Sequence, residues 1–275
     1  MENIVIETNN IYYKKNGKIN IKSKKKDNTT FLFLMGTVIL SICSFFILDV
    51  DWLKLMSRFL EIGVVFSKLI MFNFNNTDLI FTSFLETVSI TVLSTFYSLL
   101  LGLFFGMLAS ENIFKVKYLP TFIKSFFTFL RAIPTPVWVL LMLVCLGFGP
   151  SAGIVGLSVH TIAFFTRAFS QSFEDISPDI IEALEVTGAT RFQIFTAAVL
   201  PSALSQMIAW IGVRFEINFA ECAILGMVGA GGIGYVVSSS LQNYDYGTAG
   251  LAILLVFIFA ICVERVFVVI KKKMK

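Results

Sequence analysis

Long, nearly uncharged apolar runs separated by short polar breaks dominate the chain, in place of the 3.6-residue or two-residue alternation of a water-soluble fold. An apolar run of about 20 residues crosses the roughly 30 Å hydrocarbon core of a bilayer as a helix. The first such run, 31–48, ends at Asp49-Val50-Asp51. The second covers 80–109, between Asn75-Asn76-Thr77-Asp78 and Ser110-Glu111-Asn112. The third leads from 122–130 through Arg131-Ala132-Ile133-Pro134-Thr135-Pro136 to Phe148, so it is expected to open at a proline-broken entrance. Three more follow at 152–170, 202–225 and 248–270. Residues 52–73 differ: over 52–61, charges recur every three or four positions among apolar residues, which predicts a helix lying in the membrane surface.

Composition agrees with this pattern. Hydrophobic residues make up 56% of the 275, 30 of them Phe, and the mean hydropathy is +0.82, so no sizeable soluble domain fits beside the spans. The net charge of +4 does not spread over a face as nucleic-acid binding requires. Lys14, Lys15, Lys18, Lys22, Lys24, Lys25 and Lys26 precede the first run, and Lys271, Lys272, Lys273 and Lys275 close the chain. Lys115, Lys117, Arg167 and Arg265 fall in alternate loops or span ends, which places both termini in the cytoplasm of a multi-pass inner-membrane protein. The expected fold is all-α, with about six transmembrane helices. Its organisation is a disordered basic cytoplasmic arm over 1–30, a first span with an interfacial helix over 31–78, and a membrane-embedded body over 79–271 with a polar cytoplasmic loop at 171–201. The arm is no signal peptide, because its charged region is too long and no small-residue cleavage site follows.

Candidate chemistry is sparse. Cys43, Cys145, Cys222 and Cys262 are dispersed in apolar stretches and His160 is the only histidine, so neither a metal nor a cofactor is expected. The loop is more informative. Ser177-Pro178-Asp179 reads as a helix start and Gly188 as a left-handed stop, predicting a short helix over 178–187. Thr190-Arg191-Phe192-Gln193 reads as a capping box opening a second helix that runs to Leu200-Pro201. By shape alone this helix-turn-helix is equally a connector or a functional element.

The residue identities go further. Glu182-Ala183-Leu184, three residues, Gly188, and then Leu200-Pro201 resemble the loop motif (Glu-Ala-Ala, x3, Gly, x9, Ile, x, Leu-Pro) of permeases in binding-protein-dependent ABC importers, with Leu184 and Ala198 as the two departures. Arg131-Ala132-Ile133-Pro134, Thr187-Gly188-Ala189-Thr190-Arg191, Arg214-Phe215-Glu216-Ile217-Asn218 and Gly229-Ala230-Gly231-Gly232-Ile233-Gly234 together resemble the phosphonate-type permease subunits over about 80–270. Those permeases usually carry an arginine just after the Arg-Phe-Glu-Ile-Asn run, where this chain has Phe219-Ala220-Glu221. The resemblance implies that residues 178–188 form a coupling helix seated in a groove of a separate ABC ATPase subunit. Glu182, Ala183 and Gly188 would be its docking residues, with Leu184, Leu200 and Pro201 completing the motif. It further implies a homodimeric permease, not an enzyme, served by an extracytoplasmic solute-binding protein and moving phosphonate or a related phosphorus oxyanion across the bacterial cytoplasmic membrane. Methionine or another small nutrient is the alternative cargo, and a self-contained secondary transporter the alternative class. The chain has no GxxxxGK[ST], so hydrolysis is expected of the partner.

Arg214 falls about twelve residues into the fifth span, where a charge costs roughly 2.5–3.5 kcal/mol. Asn218 and Glu221 follow on the same helix face while Glu216 points away, so the three either line a polar passage or form a buried pair that only joins helices. Gly229, Gly231 and Gly234 spell GxGxxG without a preceding strand, and read as a backbone bend or gate at the outer end of that span rather than a dinucleotide site.

Overall fold

The apolar runs become long helices. The computed structural model describes residues 4–7, 10–15, 18–20, 28–48, 51–59 and 61–273. The chain packs as two units, Met1–Glu61 and Ile62–Lys275.

In the first unit, α1 (Asn28–Ile47) is long and apolar enough to cross a membrane and α2 (Trp52–Phe59) is short. Asp51 caps α2: its carboxylate accepts the Lys54 N–H at 3.2 Å and the Lys54 ammonium at 2.9 Å, and these bonds hold its carboxyl below the usual range. The arm, expected from its lysines to be disordered, carries regular structure among its described residues. Its described residues form an antiparallel sheet of β1 (Ile4–Glu7), β2 (Asn10–Lys15) and β3 (Lys18–Asn20), with Val5 opposite Tyr12 and Lys14 opposite Ile19. The cause is local. Ile4-Val5-Ile6 and Ile11-Tyr12-Tyr13 are strand formers, and the sequence between β2 and β3 is Asn16-Gly17, a strong hairpin dipeptide.

The second unit runs α3 (Ile62–Ile70), α4 (Thr77–Leu108), α5 (Leu119–Ala132), α6 (Thr135–Leu146), α7 (Pro150–Glu174), α8 (Pro178–Val186), α9 (Arg191–Ile194), α10 (Leu200–Leu225), α11 (Ile233–Gln242) and α12 (Tyr246–Lys273). Helices α4, α7, α12 and the rod from Arg191 to Val228 are each long and apolar enough to span a bilayer, and α5 with α6 is apolar enough together but bent by 84°, the shape of a broken span or a re-entrant loop. Pro134 makes that break. It forces Ile133 into an extended conformation (φ −86°, ψ 125°), which ends α5, and then starts α6 from the N-cap position.

Between helices in lipid there is little hydrophobic driving force, so close backbone approach and interhelical polar contacts decide the packing. Helix α4 buries a face of Thr87, Thr91, Ser94, Thr95, Ser98, Gly102 and Gly106. Opposite it on α7, a Cβ on Gly102 would lie 2.4 Å from Phe165 Cβ, and one on Gly106 would lie 3.0 Å from Phe169 Cβ. Ser98 donates to the Ser158 carbonyl at 3.3 Å and Ser158 Oγ lies 3.4 Å from the Ser94 carbonyl, stitching the two helices. Gly156 brings α7 against α6, where a Cβ would meet Val139 Cα at 2.6 Å.

Helix α3 packs on α12 within this unit, because Gly250 lets the Leu69 carbonyl approach to 1.9 Å of where a Cβ would be. This unit begins at Ile62, inside the 31–78 segment read from the sequence. Asp245 opens α12 by accepting Thr248 Oγ1 at 2.6 Å and Thr248 N–H at 3.2 Å, bonds that hold its carboxyl below the usual range. Helix α11 was not expected at all. It fills the stretch free of Lys and Arg, burying Ile233, Val236 and Val237 against Ile80, Phe84, Phe219 and Ala252.

Gly156→Ala is expected to destabilise the protein by about 1–3 kcal/mol, because the new methyl meets a neighbouring backbone that cannot move aside. Gly36→Ala, with nothing within 4 Å, should leave thermal unfolding in detergent unchanged.

Candidate functional site

Three features carry the site: the loop between α7 and α10, a buried polar chain along α10, and a glycine elbow after it.

Pro178 supplies the first turn of α8 with a fixed φ and Asp179 a favourable charge, while the Ser177 hydroxyl makes no capping bond. The other end is tightly closed. Gly188 adopts φ +82°, its N–H donates to the Glu185 carbonyl at 3.0 Å, and the Ala189 N–H donates to the Leu184 carbonyl at 3.4 Å. This is a Schellman motif, and it stops the helix at Val186, one residue before the expected end. The capping box forms: Thr190 N–H donates to Gln193 Oε1 at 2.8 Å and Gln193 N–H to Thr190 Oγ1 at 3.4 Å. Glu185 ties the two short helices by pairing with Arg191, and it also meets Lys115 at 3.5 Å.

Ile181 and Leu184 seat α8 on Phe169, Phe173, Ile194 and Phe195. Glu182, Ala183 and Gly188 are left exposed, together with Val186 (89%) and Phe192 (66%). Beyond α9 the helix widens into a π turn at Phe195–Val199 and continues as α10. Pro201 explains the widening, since it has no N–H to close an ordinary turn. Leu200 and Pro201 therefore sit at the joint between loop and span.

Arg214, Asn218 and Glu221 are brought together as their spacing required, but toward other helices. Arg214 is 3% exposed and Asn218 fully buried. Arg214 donates from Nη2 to Glu221 Oε2 at 3.1 Å, and from Nε and Nη2 to Thr161 Oγ1 at 3.2 and 3.1 Å. The Thr161 hydroxyl lies 2.9 Å from Asn218 Oδ1 and 2.8 Å from the Leu157 carbonyl, and Asn218 Nδ2 donates to Thr95 Oγ1 at 2.9 Å. Thr135 Oγ1 donates to Glu221 Oε1 at 3.3 Å. The chain Thr95, Asn218, Thr161, Arg214, Glu221, Thr135 thus joins α4, α10, α7 and α6. Only Glu221 keeps an open edge, its side chain being 28% exposed. Asn218 lines no open surface here, because both ends of its amide are taken by Thr95 and Thr161. Glu216 is exposed, on the other side of α10.

In the elbow, Gly229 (φ +109°) and Gly231 (φ +84°) take left-handed conformations, joined by Gly232 (φ +76°). Gly234 serves differently: it is helical, and a Cβ there would lie 1.9 Å from the Ala223 carbonyl. Two side chains of α4 meet the start of α11, with Gly232 N–H donating to Glu86 Oε2 and Ile233 N–H to Thr87 Oγ1, each at 2.8 Å. Thr95, Thr135, Thr161, Glu86 and Thr87 were not singled out from sequence. The hydroxyl stripe of α4, recurring every three or four residues from Thr87 to Ser98, was readable; Thr161 carries no such signal.

A family model described as binding-protein-dependent transport system inner membrane component matches residues 98–275. The phosphate-import permease protein PhnE of Mycolicibacterium smegmatis is 27% identical over 87% of this chain; the match covers 46% of that relative, so the chain spans about half its length. The phosphite transport system permease protein PtxC of Stutzerimonas stutzeri is 25% identical over 70% of each chain. Among solved structures, the chain resembles an inward-facing form of the MetNI methionine ABC transporter, with a TM-score of 0.64 and 24% identity over 74% of this chain and 99% of that one.

Because Thr161 serves Arg214 and Asn218 at once, Thr161→Val is expected to destabilise the protein by about 1–3 kcal/mol. Thr161→Ser, which keeps the hydroxyl, should recover most of that loss in thermal unfolding.

Proposed function

The chain belongs to the family of binding-protein-dependent transport system inner membrane components, and from that premise we propose that it is the permease subunit of an ATP-driven importer of a phosphorus oxyanion. The observation that carries this reading is α8. It is capped at its C-terminal end, seated by Ile181 and Leu184, and joined through α9 and the π turn to the helix that holds Arg214. A floppy loop would absorb a push from a soluble partner, whereas a closed helix with its apolar underside buried passes the push to α7 and α10.

In this reading an ABC ATPase subunit docks on Glu182, Ala183, Val186 and Gly188, two copies of the chain enclose the route, and an extracytoplasmic solute-binding protein delivers cargo near the glycine elbow. Both termini are cytoplasmic, which the lysine flanks support. The cargo class rests on the phosphate- and phosphite-permease relatives and on a buried guanidinium in the fifth span. The resemblance to the methionine transporter supports the fold alone.

Any side chain at Gly188 must either adopt a left-handed conformation, at roughly 1–2 kcal/mol, or unwind the helix end. Gly188→Val and Glu182→Lys are accordingly expected to reduce co-purification with the ATPase subunit and ATP-driven uptake on the order of tenfold or more. Full retention of both properties in both variants would contradict the assignment.

A further inference from the structure

Guanidinium groups line one face of α7 in numbers that helix joining does not explain. His160, Phe164 and Arg167 lie at i, i+4 and i+7 and share that face. The Phe164 ring is covered by two cations, with Arg214 Cζ 5.7 Å and Arg131 Cζ 5.9 Å from its centroid. Next along, Arg167 Nη1 donates at 2.8 Å to Thr128 Oγ1, one turn before Arg131 on α5. Three arginines therefore follow one another between α5, α7 and α10.

Elsewhere in this unit buried or crowded charges are matched. Lys124 meets both Glu111 and Glu174, and Glu185 meets both Lys115 and Arg191. Along the arginine row the only ion pair among the described residues is Arg214 with Glu221. Arg131 and Arg167 are exposed and form none. A buried ring nitrogen of His160, Nδ1, also lacks a partner among the described residues. Phe164 lies near the middle of α7, so Arg131 stands beside the middle of a helix long and apolar enough to cross a membrane. An unpaired guanidinium within a membrane-spanning bundle faces its interior or water rather than lipid, since hydrocarbon would exact several kcal/mol.

We propose that Arg131 and Arg167, the two exposed members of the row, form successive anion stations along the α5–α7 face, and that Arg131 is the group a phosphorus oxyanion meets directly. A planar guanidinium matches two oxygens of a tetrahedral anion at once. Arg214, engaged by Glu221 and Thr161, adds positive charge behind this row without meeting the anion itself. The proposal rests on the import reading above and adds which face of the subunit borders the route.

Its test does not depend on transport. In the full-length chain with Cys43, Cys145, Cys222 and Cys262 changed to Ser, Arg131→Cys and Arg167→Cys would each be labelled with a sulfonate-bearing and a trimethylammonium-bearing methanethiosulfonate. A route lined by the remaining arginines should make the anionic reagent react on the order of tenfold faster, with inorganic phosphate slowing it. Equal rates for the two reagents, or no labelling at either position in a monodisperse protein, would overturn the proposal. ATP-driven phosphate uptake by the wild-type complex is measured separately: its absence beside anion-selective labelling would count against the import reading and leave the stations standing.

Discussion

In a bilayer no solvent is available to satisfy a stray polar group, and the second unit is organised around meeting that demand inside the protein. The chain of contacts from Thr95 through Asn218, Thr161 and Arg214 to Glu221 and Thr135 is where the demand is greatest. It fixes α10 against α4, α7 and α6 at one level, and each member depends on its neighbour for a partner. Removing one side chain leaves others unsatisfied in a low-dielectric interior, which costs more than the lost bond itself. The small residues of α4 and α7 make the arrangement possible, since Gly102, Gly106 and Gly156 bring the backbones close enough for short hydroxyl and amide side chains to reach across.

The same packing gives the loop its mechanical meaning. Down α7, Phe165 stacks on Phe169, Phe169 meets Phe173 at a tilt, and Phe173 meets Phe195 of the π turn edge to face; α8 rests on this aromatic row through Ile181 and Leu184. A displacement of α8 therefore reaches α7 by packing and α10 by covalent continuity. The exposed Val186 and Phe192 leave apolar surface beside Glu182 and Ala183 on this otherwise seated hairpin.

Much of the helical layout was legible, because the length of an apolar run is a direct consequence of bilayer thickness. The loop was legible for a different reason: Gly188 and the pair Thr190 and Gln193 are local devices whose geometry is encoded within a few residues. What escaped notice was non-local or masked by a stronger signal. Helix α11 exists because Glu86 and Thr87, far away in sequence, satisfy its first amides. Asn218 turned toward α4 because Thr95 offered an acceptor there, which helical spacing alone does not reveal. The arm's strands were hidden beneath a lysine composition that suggested disorder, although Asn16-Gly17 stood in plain view.

The central claim is that α8 and the outer end of α10 move as parts of one body. Spin labels at Asp179→Cys and Ile224→Cys, both exposed positions outside the docking residues, in a single copy of the assembled transporter would report the separation between them by pulsed electron resonance. The account predicts one narrow distance that is the same with and without ATP. A distance that shifts or broadens on nucleotide binding would contradict it, because the push on α8 would then be absorbed before reaching the span.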